Sequence, residues 1–197
     1  LTSFDLVDLD ANCGFDFSNV SYALSKSAFD YFETVDEETM NDKAQWGTLV
    51  HSVLSHIATE QDLQKALSCA DIEKADEVER VIRCMFKFVE SRHWFDGTYK
   101  VIMEQSIVDN SYDEKQRVKR PDRIMIGENG ITVVDYKFMQ DVEDTSRYED
   151  QIKEYGHRLM KMGYENINLY LWAVQSQTVQ SEEHSETLKQ KLVEVKL

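Results

Sequence analysis

The chain is poor in the residues that mark several large classes of protein. It has 3 cysteines, Cys13, Cys69 and Cys84, far apart and without a CxxC pair. That argues against a disulfide framework and against a four-cysteine cluster, so no iron–sulfur cluster is expected and a reducing, cytoplasmic home is the natural reading. No apolar run approaches the roughly 18 residues that a membrane span needs, so no membrane partner is expected. No GxxxxGK[ST] loop occurs, which leaves this chain without an ATP site of that kind. Internal repeats and low-complexity tracts are also missing. Positive charge is scarce: 22 lysines and arginines stand against 37 acids, a net charge of −15. Such a balance opposes binding to phosphates through long-range attraction. An initiator methionine and a signal peptide are missing as well, and the start at Leu1-Thr2-Ser3 reads as that of a domain cut from something larger.

What is present fits one soluble domain, since 197 residues at 42% hydrophobic content suffice for a sizeable core. The most informative stretch runs from Arg120 to Lys137. Ile124-Met125-Ile126 and Ile131-Thr132-Val133-Val134 flank a turn holding Gly127, Asn129 and Gly130, the pattern of a β-hairpin. Asp122 opens its first strand and Asp135 closes the second, so pairing returns both carboxylates to one edge. Lys137 is two residues beyond Asp135, and a strand's period of two puts their side chains on one face. Two acids and a lysine converging on a strand end suit a divalent cation held beside a phosphate. Charge is uneven around them. Lys115, Arg117, Lys119, Arg120 and Arg123 border Asp122, while acids concentrate in Glu33–Asp42, Asp141–Asp150 and Glu182–Glu186. The basic cluster alone reads equally well as a solvated strand entry.

Taken in order, residues 1–17 read as an irregular arm. Ser18 caps a helix over 19–33, with Val20, Ala23, Leu24, Ser27, Ala28, Tyr31 and Phe32 on one face. Glu33–Asp42 reads as a polar linker. The spacing of Trp46, Leu49, Val50, Val53, Leu54 and Ile57 predicts a helix over Asp42–His56. His51 lies roughly 130° from the middle of that apolar stripe, on its flank. It is either a surface histidine or a metal ligand presented from a helix, with Gly47 one turn earlier permitting close approach. Helices are expected over 61–70 and 73–92, and a strand from Tyr99 to Val108. Glu104 on that strand either faces solvent or points toward the face of the two aspartates. A helix over Thr145–Met162 stops at Gly163, and its Tyr148, Gln151 and Tyr155 are one-turn neighbours. Ile167–Val174 reads as a buried central strand, Gln175–Ser185 as a loop, and Leu188–Leu197 as strand or helix, with Val193 and Val195 favouring strand.

These parts suit phosphodiester hydrolysis assisted by Mg2+ or Mn2+. Asp122 and Asp135 would be ligands, with the Tyr136 backbone carbonyl as another and His51 completing the set from its helix. An imidazole in the set favours Mn2+ slightly. Lys137 would orient the attacking water or neutralise developing charge, and Glu104 is a further candidate.

Pro121-Asp122 followed by Asp135-Tyr136-Lys137 resembles the PD-(D/E)XK nuclease signature. More closely, Gly47-Thr48-Leu49-Val50-His51, Glu104, Asp122, Asp135-Tyr136-Lys137 and Gln151-x-x-x-Tyr155 follow the order seen in RecB/AddA-type nucleases, over about residues 46–172. Those are C-terminal nuclease domains of UvrD/Rep-like helicase–nucleases that process double-strand breaks. The resemblance implies an α/β, restriction-endonuclease-like core, a mixed β-sheet flanked by helices, preceded by a helical N-terminal part. It implies His51, Asp122 and Asp135 as metal ligands, Lys137 as catalytic, and Gln151 and Tyr155 as supports or DNA contacts, with Arg120 and Arg123 beside them. It further implies an exonuclease acting on a DNA strand delivered by a helicase motor of the same polypeptide, with a partner subunit as a further candidate. The expected division is a single nuclease domain over 1–197: arm and helix 1–45, catalytic core 46–175, C-terminal tail 176–197. Relatives commonly carry a small residue where this chain has Arg120, and Pro121 removes a backbone donor at the strand entry. The alternative is a catalytically silent domain of the same fold that docks DNA ends or proteins; retention of His51, Asp122, Asp135 and Lys137 speaks for activity.

Overall fold

The structure, a computed structural model, describes residues 37–70, 74–109, 118–175 and 188–197. The expected arm and first helix, Lys115, Arg117 and most of the 175–185 loop lie outside them. Helix α1 spans Glu37–Leu54, and after a short turn of 3-10 helix come α2, Leu63–Ala70, and α3, Ala75–Phe88. Then follow β1 Lys100–Met103, β2 Ile107–Val108, β3 Val118–Lys119, β4 Arg123–Gly127, β5 Gly130–Met139, α4 Glu149–Lys161, β6 Ile167–Gln175 and β7 Gln190–Val195. Five strands form one mixed sheet in the order β1-β4-β5-β6-β7, and β2 and β3 pair separately. The expected restriction-endonuclease-like arrangement, a mixed sheet flanked by helices, is what is found. No helix among the described residues is long and apolar enough to cross a membrane.

Alternation along β5 explains the layering. Val133 belongs to the cluster that buries α4, through Ile152, Tyr155 and Leu159, against the sheet. Val134 and Tyr136 belong to the opposite cluster, which buries α1, α2 and α3 through residues such as Val50, Val53, Leu67 and Ile82. Successive side chains thus serve opposite faces, as the pleat dictates. β5 and β6 run parallel, from Ile131 opposite Ile167 to Met139 opposite Gln175. A parallel pair needs a crossover, and α4 supplies it. The hairpin closes with Gly127 opposite Gly130. Gly130 has φ +137°, and a Cβ there would lie 2.2 Å from the Asn166 carbonyl oxygen. Only glycine fits that approach.

Several boundaries differ from expectation. α1 begins at Glu37, inside the presumed linker, because no glycine or proline interrupts residues 37–46. The helix expected over 73–92 ends at Phe88, and Glu90–Arg92 continues as a 3-10 turn with His93 left-handed at φ +60°. The strand expected from Tyr99 to Val108 is two: it breaks after Met103, where Glu104 adopts φ +52°. The C-terminal segment is a strand, β7, antiparallel to β6.

Arg123, which the sequence groups with residues that support the site or contact DNA, is 1% exposed. Its Nη1 donates to the Ile57 carbonyl at 2.7 Å, and its Nη2 to the carbonyls of Ala58 at 2.7 Å and Trp94 at 2.6 Å. Its guanidinium also lies 4.1 Å from the centre of the Phe95 ring. The chain leaving α1 and the turn after α3 are thereby tied to the first residue of β4. Replacing Arg123 with Met leaves three carbonyls without their charged donor. We expect Arg123→Met to cost about 3 kcal/mol or more in urea unfolding. Arg120→Met, at a side chain 62% exposed, should cost less than about 1 kcal/mol. Equal losses would show that Arg123 is no clamp.

Candidate metal and catalytic site

The site forms where the β4–β5 ladder ends. Arg123 pairs with Val134, so Asp122, one residue earlier, falls beside the part of β5 that β4 no longer covers. The Tyr136 N–H, left without a β4 partner, donates to Asp122 Oδ2 at 2.6 Å. A residue in an antiparallel ladder directs its N–H and C=O to the same neighbour, so the Tyr136 carbonyl faces this open end too. Glu104 arrives from β1. Its left-handed backbone ends the strand, and its N–H donates to the Asp122 carbonyl at 3.1 Å.

His51 reaches the same place from α1, its side chain 32% exposed, the flanking position expected of it. Gly47 makes this approach possible: a Cβ there would stand 3.0 Å from Phe138 Cβ on β5. His51 Nε2 is 2.9 Å from Asp122 Oδ1 and 3.7 Å from Glu104 Oε1. The ligand atoms of His51, Glu104 and Asp122 all lie within 4.8 Å of one another. Arg120 Nε is 2.8 Å from Glu104 Oε2, whereas the other oxygen, Oε1, is buried without a hydrogen-bond partner. An imidazole and two carboxylates, with one oxygen left unsatisfied, fit a divalent cation.

Asp135 stands outside that trio, and the remaining residues gather around it. Lys137 Nζ is 2.6 Å from Asp135 Oδ2 and donates to Gln151 Oε1 at 3.2 Å. Gln151 Nε2 donates to the Tyr155 hydroxyl at 2.6 Å, and that hydroxyl donates to Asp135 Oδ1 at 3.4 Å. The four groups close a ring across β5 and α4, in which each donor–acceptor sense agrees with the next. The spacing of Gln151 and Tyr155 on one helix face places both over the strand. Tyr148 also belongs here: the Lys137 ammonium lies 4.9 Å from the centre of its ring. The spacing marks Tyr148 only as a helical neighbour of Gln151, because nothing in the pattern shows which way an aromatic ring turns.

Proton affinities follow from this crowding. Burial raises Asp135 to about 6, aided by the charge of Asp122 and opposed by Lys137. Burial also tends to raise Asp122, but the charge and hydrogen bond of His51 outweigh it and hold Asp122 below its ordinary value. Glu104 is raised by burial and by the charge of Asp122. Burial lowers His51, yet Asp122 and then Glu104 more than reverse this and bring it to about 9. For Lys137, likewise, the pull of burial is exceeded by Asp135 and Asp122, so its ammonium is held above the usual lysine value. At neutral pH the site therefore holds a charged imidazole and a charged ammonium against the carboxylates.

The family model of the PD-(D/E)XK nuclease superfamily matches residues 12–196. No curated protein matches the chain. Among solved structures, that of SSO0001 is similar over 87% of this chain and 75% of its own, at 14% identity and a TM-score of 0.30, which is too low to bear on the argument. With the family match spanning nearly the whole chain, and a sheet edge that gathers Asp122, Asp135 and Lys137, the chain belongs to the PD-(D/E)XK nuclease superfamily.

Proposed function

We propose that this chain is a Mg2+- or Mn2+-dependent deoxyribonuclease domain, the nuclease end of a RecB/AddA-type helicase–nuclease in double-strand-break repair and recombination. It hydrolyses DNA exonucleolytically, on a strand that a helicase motor delivers. The observation that carries the chemistry is the meeting of His51, Glu104 and Asp122 within 4.8 Å, beside an Asp135–Lys137 pair at 2.6 Å. The order of Gly47–His51, Asp122, Asp135-Tyr136-Lys137 and Gln151–Tyr155 supports the helicase–nuclease assignment. A silent docking module has no need of this complete set.

His51, Glu104 and Asp122 would hold the cation, with Asp135 and the Tyr136 carbonyl as further oxygen donors. When bound, Mg2+ or Mn2+ supplies a Lewis acid for the phosphate oxygens and acidifies water. Lys137, kept as an ammonium by Asp135 and Asp122, orients the attacking water and offsets negative charge developing on the phosphate. Gln151 and Tyr155 keep Lys137 and Asp135 in register with each other. Arg120, exposed on Glu104, would take a phosphate oxygen of the same strand.

The direct test uses single- and double-stranded DNA with Mg2+ or Mn2+, wild type beside Asp122→Ala, Asp135→Ala and Lys137→Ala. We expect cation-dependent cleavage, and a loss of about 100-fold or more in each variant at unchanged secondary structure. Cleavage persisting in both Asp135→Ala and Lys137→Ala would sink the assignment. Cleavage that always begins inside a circular strand would remove the exonuclease part of it.

Cation binding should also be pH-dependent. A cation on His51 must displace the proton that Asp122 and Glu104 hold there, and the folded value of about 9 exceeds neutral pH. Apparent Mn2+ affinity should therefore climb with pH by about tenfold per unit from 6.5 to 8, releasing about one proton per cation. Titration calorimetry in buffers of different ionisation enthalpy measures this release. His51→Ala should bind more weakly and release no such proton; an unchanged release would place the cation elsewhere.

A further inference from the structure

Tyr148 occupies an unusual position for a residue that merely fills space. It ends the 3-10 turn Ser146–Tyr148, where the chain enters α4. At 9% exposure it belongs to the core cluster between α4 and the sheet, together with Met139, Val142 and Ile152. Leucine would serve that packing. Two cations nevertheless lie on its ring: the Lys137 ammonium at 4.9 Å and the Arg147 guanidinium at 4.8 Å from the centroid. Lys137 is only 12% exposed, so water solvates its ammonium poorly. Its other contacts are Asp135 Oδ2 at 2.6 Å and Gln151 Oε1 at 3.2 Å.

An ammonium in that setting has a choice. Asp135 already holds it in contact at 2.6 Å, but a single ion pair leaves a flexible lysine free to swing about the carboxylate. A ring face is a broad, weakly directional attractor that cannot accept the proton. It therefore limits the swing of the lysine without neutralising it. We infer that Tyr148 is a positioning residue, whose ring face holds the Lys137 ammonium at the strand end between Asp135 and Gln151. The inference rests on the proposed role of Lys137 in phosphodiester hydrolysis, and it adds a residue outside the Gln151–Tyr155 pair.

The test weakens the ring face without emptying the site. Tyr148→Phe and a series of Phe analogues with one, two and three ring fluorines at position 148 keep the packing while progressively reducing the negative potential of the face. Two quantities are read. The first is the NMR shift of the Lys137 ε-methylene in the cation-free protein, assigned by its loss in Lys137→Arg; ring current moves it upfield only while the side chain stays over the ring. The second is steady-state DNA cleavage. We expect Tyr148→Phe to keep the upfield shift and to cleave within about twofold of wild type. The shift should shrink stepwise with fluorination, and kcat should fall by about tenfold at three fluorines, with KM little changed. Tyr148→Leu should match the most fluorinated variant in kcat at a comparable Tm.

A shift and a kcat that stay flat across the fluorine series would overturn the inference and leave Tyr148 as packing. The methylene shift is independent of cleavage. A wild type that cleaves no DNA therefore counts against the nuclease reading, while the shift still decides whether the ring holds the lysine.

Discussion

Two carboxylates forced together at the end of a strand ladder are the constraint on which this structure turns. The β4–β5 register puts Asp122 beside Asp135-Tyr136, and the layers on either face of the sheet exclude most water. Left alone, such a pair would not remain ionised at neutral pH, since each charge raises the proton affinity of the other and burial adds to both. Asp135, raised to about 6, still carries that signature. What keeps the pair charged is a cation on each side of the sheet: His51 from α1 against Asp122, and Lys137 along β5 against Asp135. The Tyr136 N–H completes the arrangement by giving Asp122 a donor that the ladder no longer uses.

Such a site needs stiff walls, because charges a few ångströms apart change sharply in energy with small displacements. The walls are supplied next door in sequence. Arg123, adjoining Asp122, spends three hydrogen bonds on the carbonyls of Ile57, Ala58 and Trp94. It thus fixes the start of β4 to the end of the helix that carries His51. Gly47 on that helix lets α1 settle against Phe138, two strand positions past Tyr136. On the other face, the Gln151–Tyr155 pair and the ring of Tyr148 cover Lys137. Packing residues and site residues alternate along β5, so a shift of register by one would turn every one of them to the wrong face.

Much of this was legible in the sequence, and the reasons for what was not are physical. Glycines and β-branched residues marked the hairpin, and strand periodicity alone put Asp135 and Lys137 on one face. Helical periodicity set His51 on the flank of α1. Glu104 was harder. Its usefulness depends on a left-handed backbone at φ +52° that ends β1, and alternation predicts the opposite, an unbroken strand to Val108. Whether Arg123 supports the fold or contacts DNA is not legible, because an arginine beside other basic residues looks solvent-facing and only tertiary structure reveals carbonyls arranged to receive it. The N-terminal start of α1 is hidden because its acidic residues read as a linker, although nothing in them stops a helix.

The net charge of −15 remains to be reconciled with a polyanionic substrate. At physiological salt a charge is screened beyond about 8 Å, so the acids of distant loops matter less than the balance inside the site. There, Glu104, Asp122 and Asp135 face His51, Arg120 and Lys137, which cancels when His51 holds its proton. A divalent cation that takes the place of that proton leaves the site with a local excess of one positive charge. On the proposed function, affinity for a phosphate at the strand end would thus be switched on by the cation itself. Before the cation binds, the acidic surface would discourage nucleic acid from settling there. The global acidity then opposes unspecific binding.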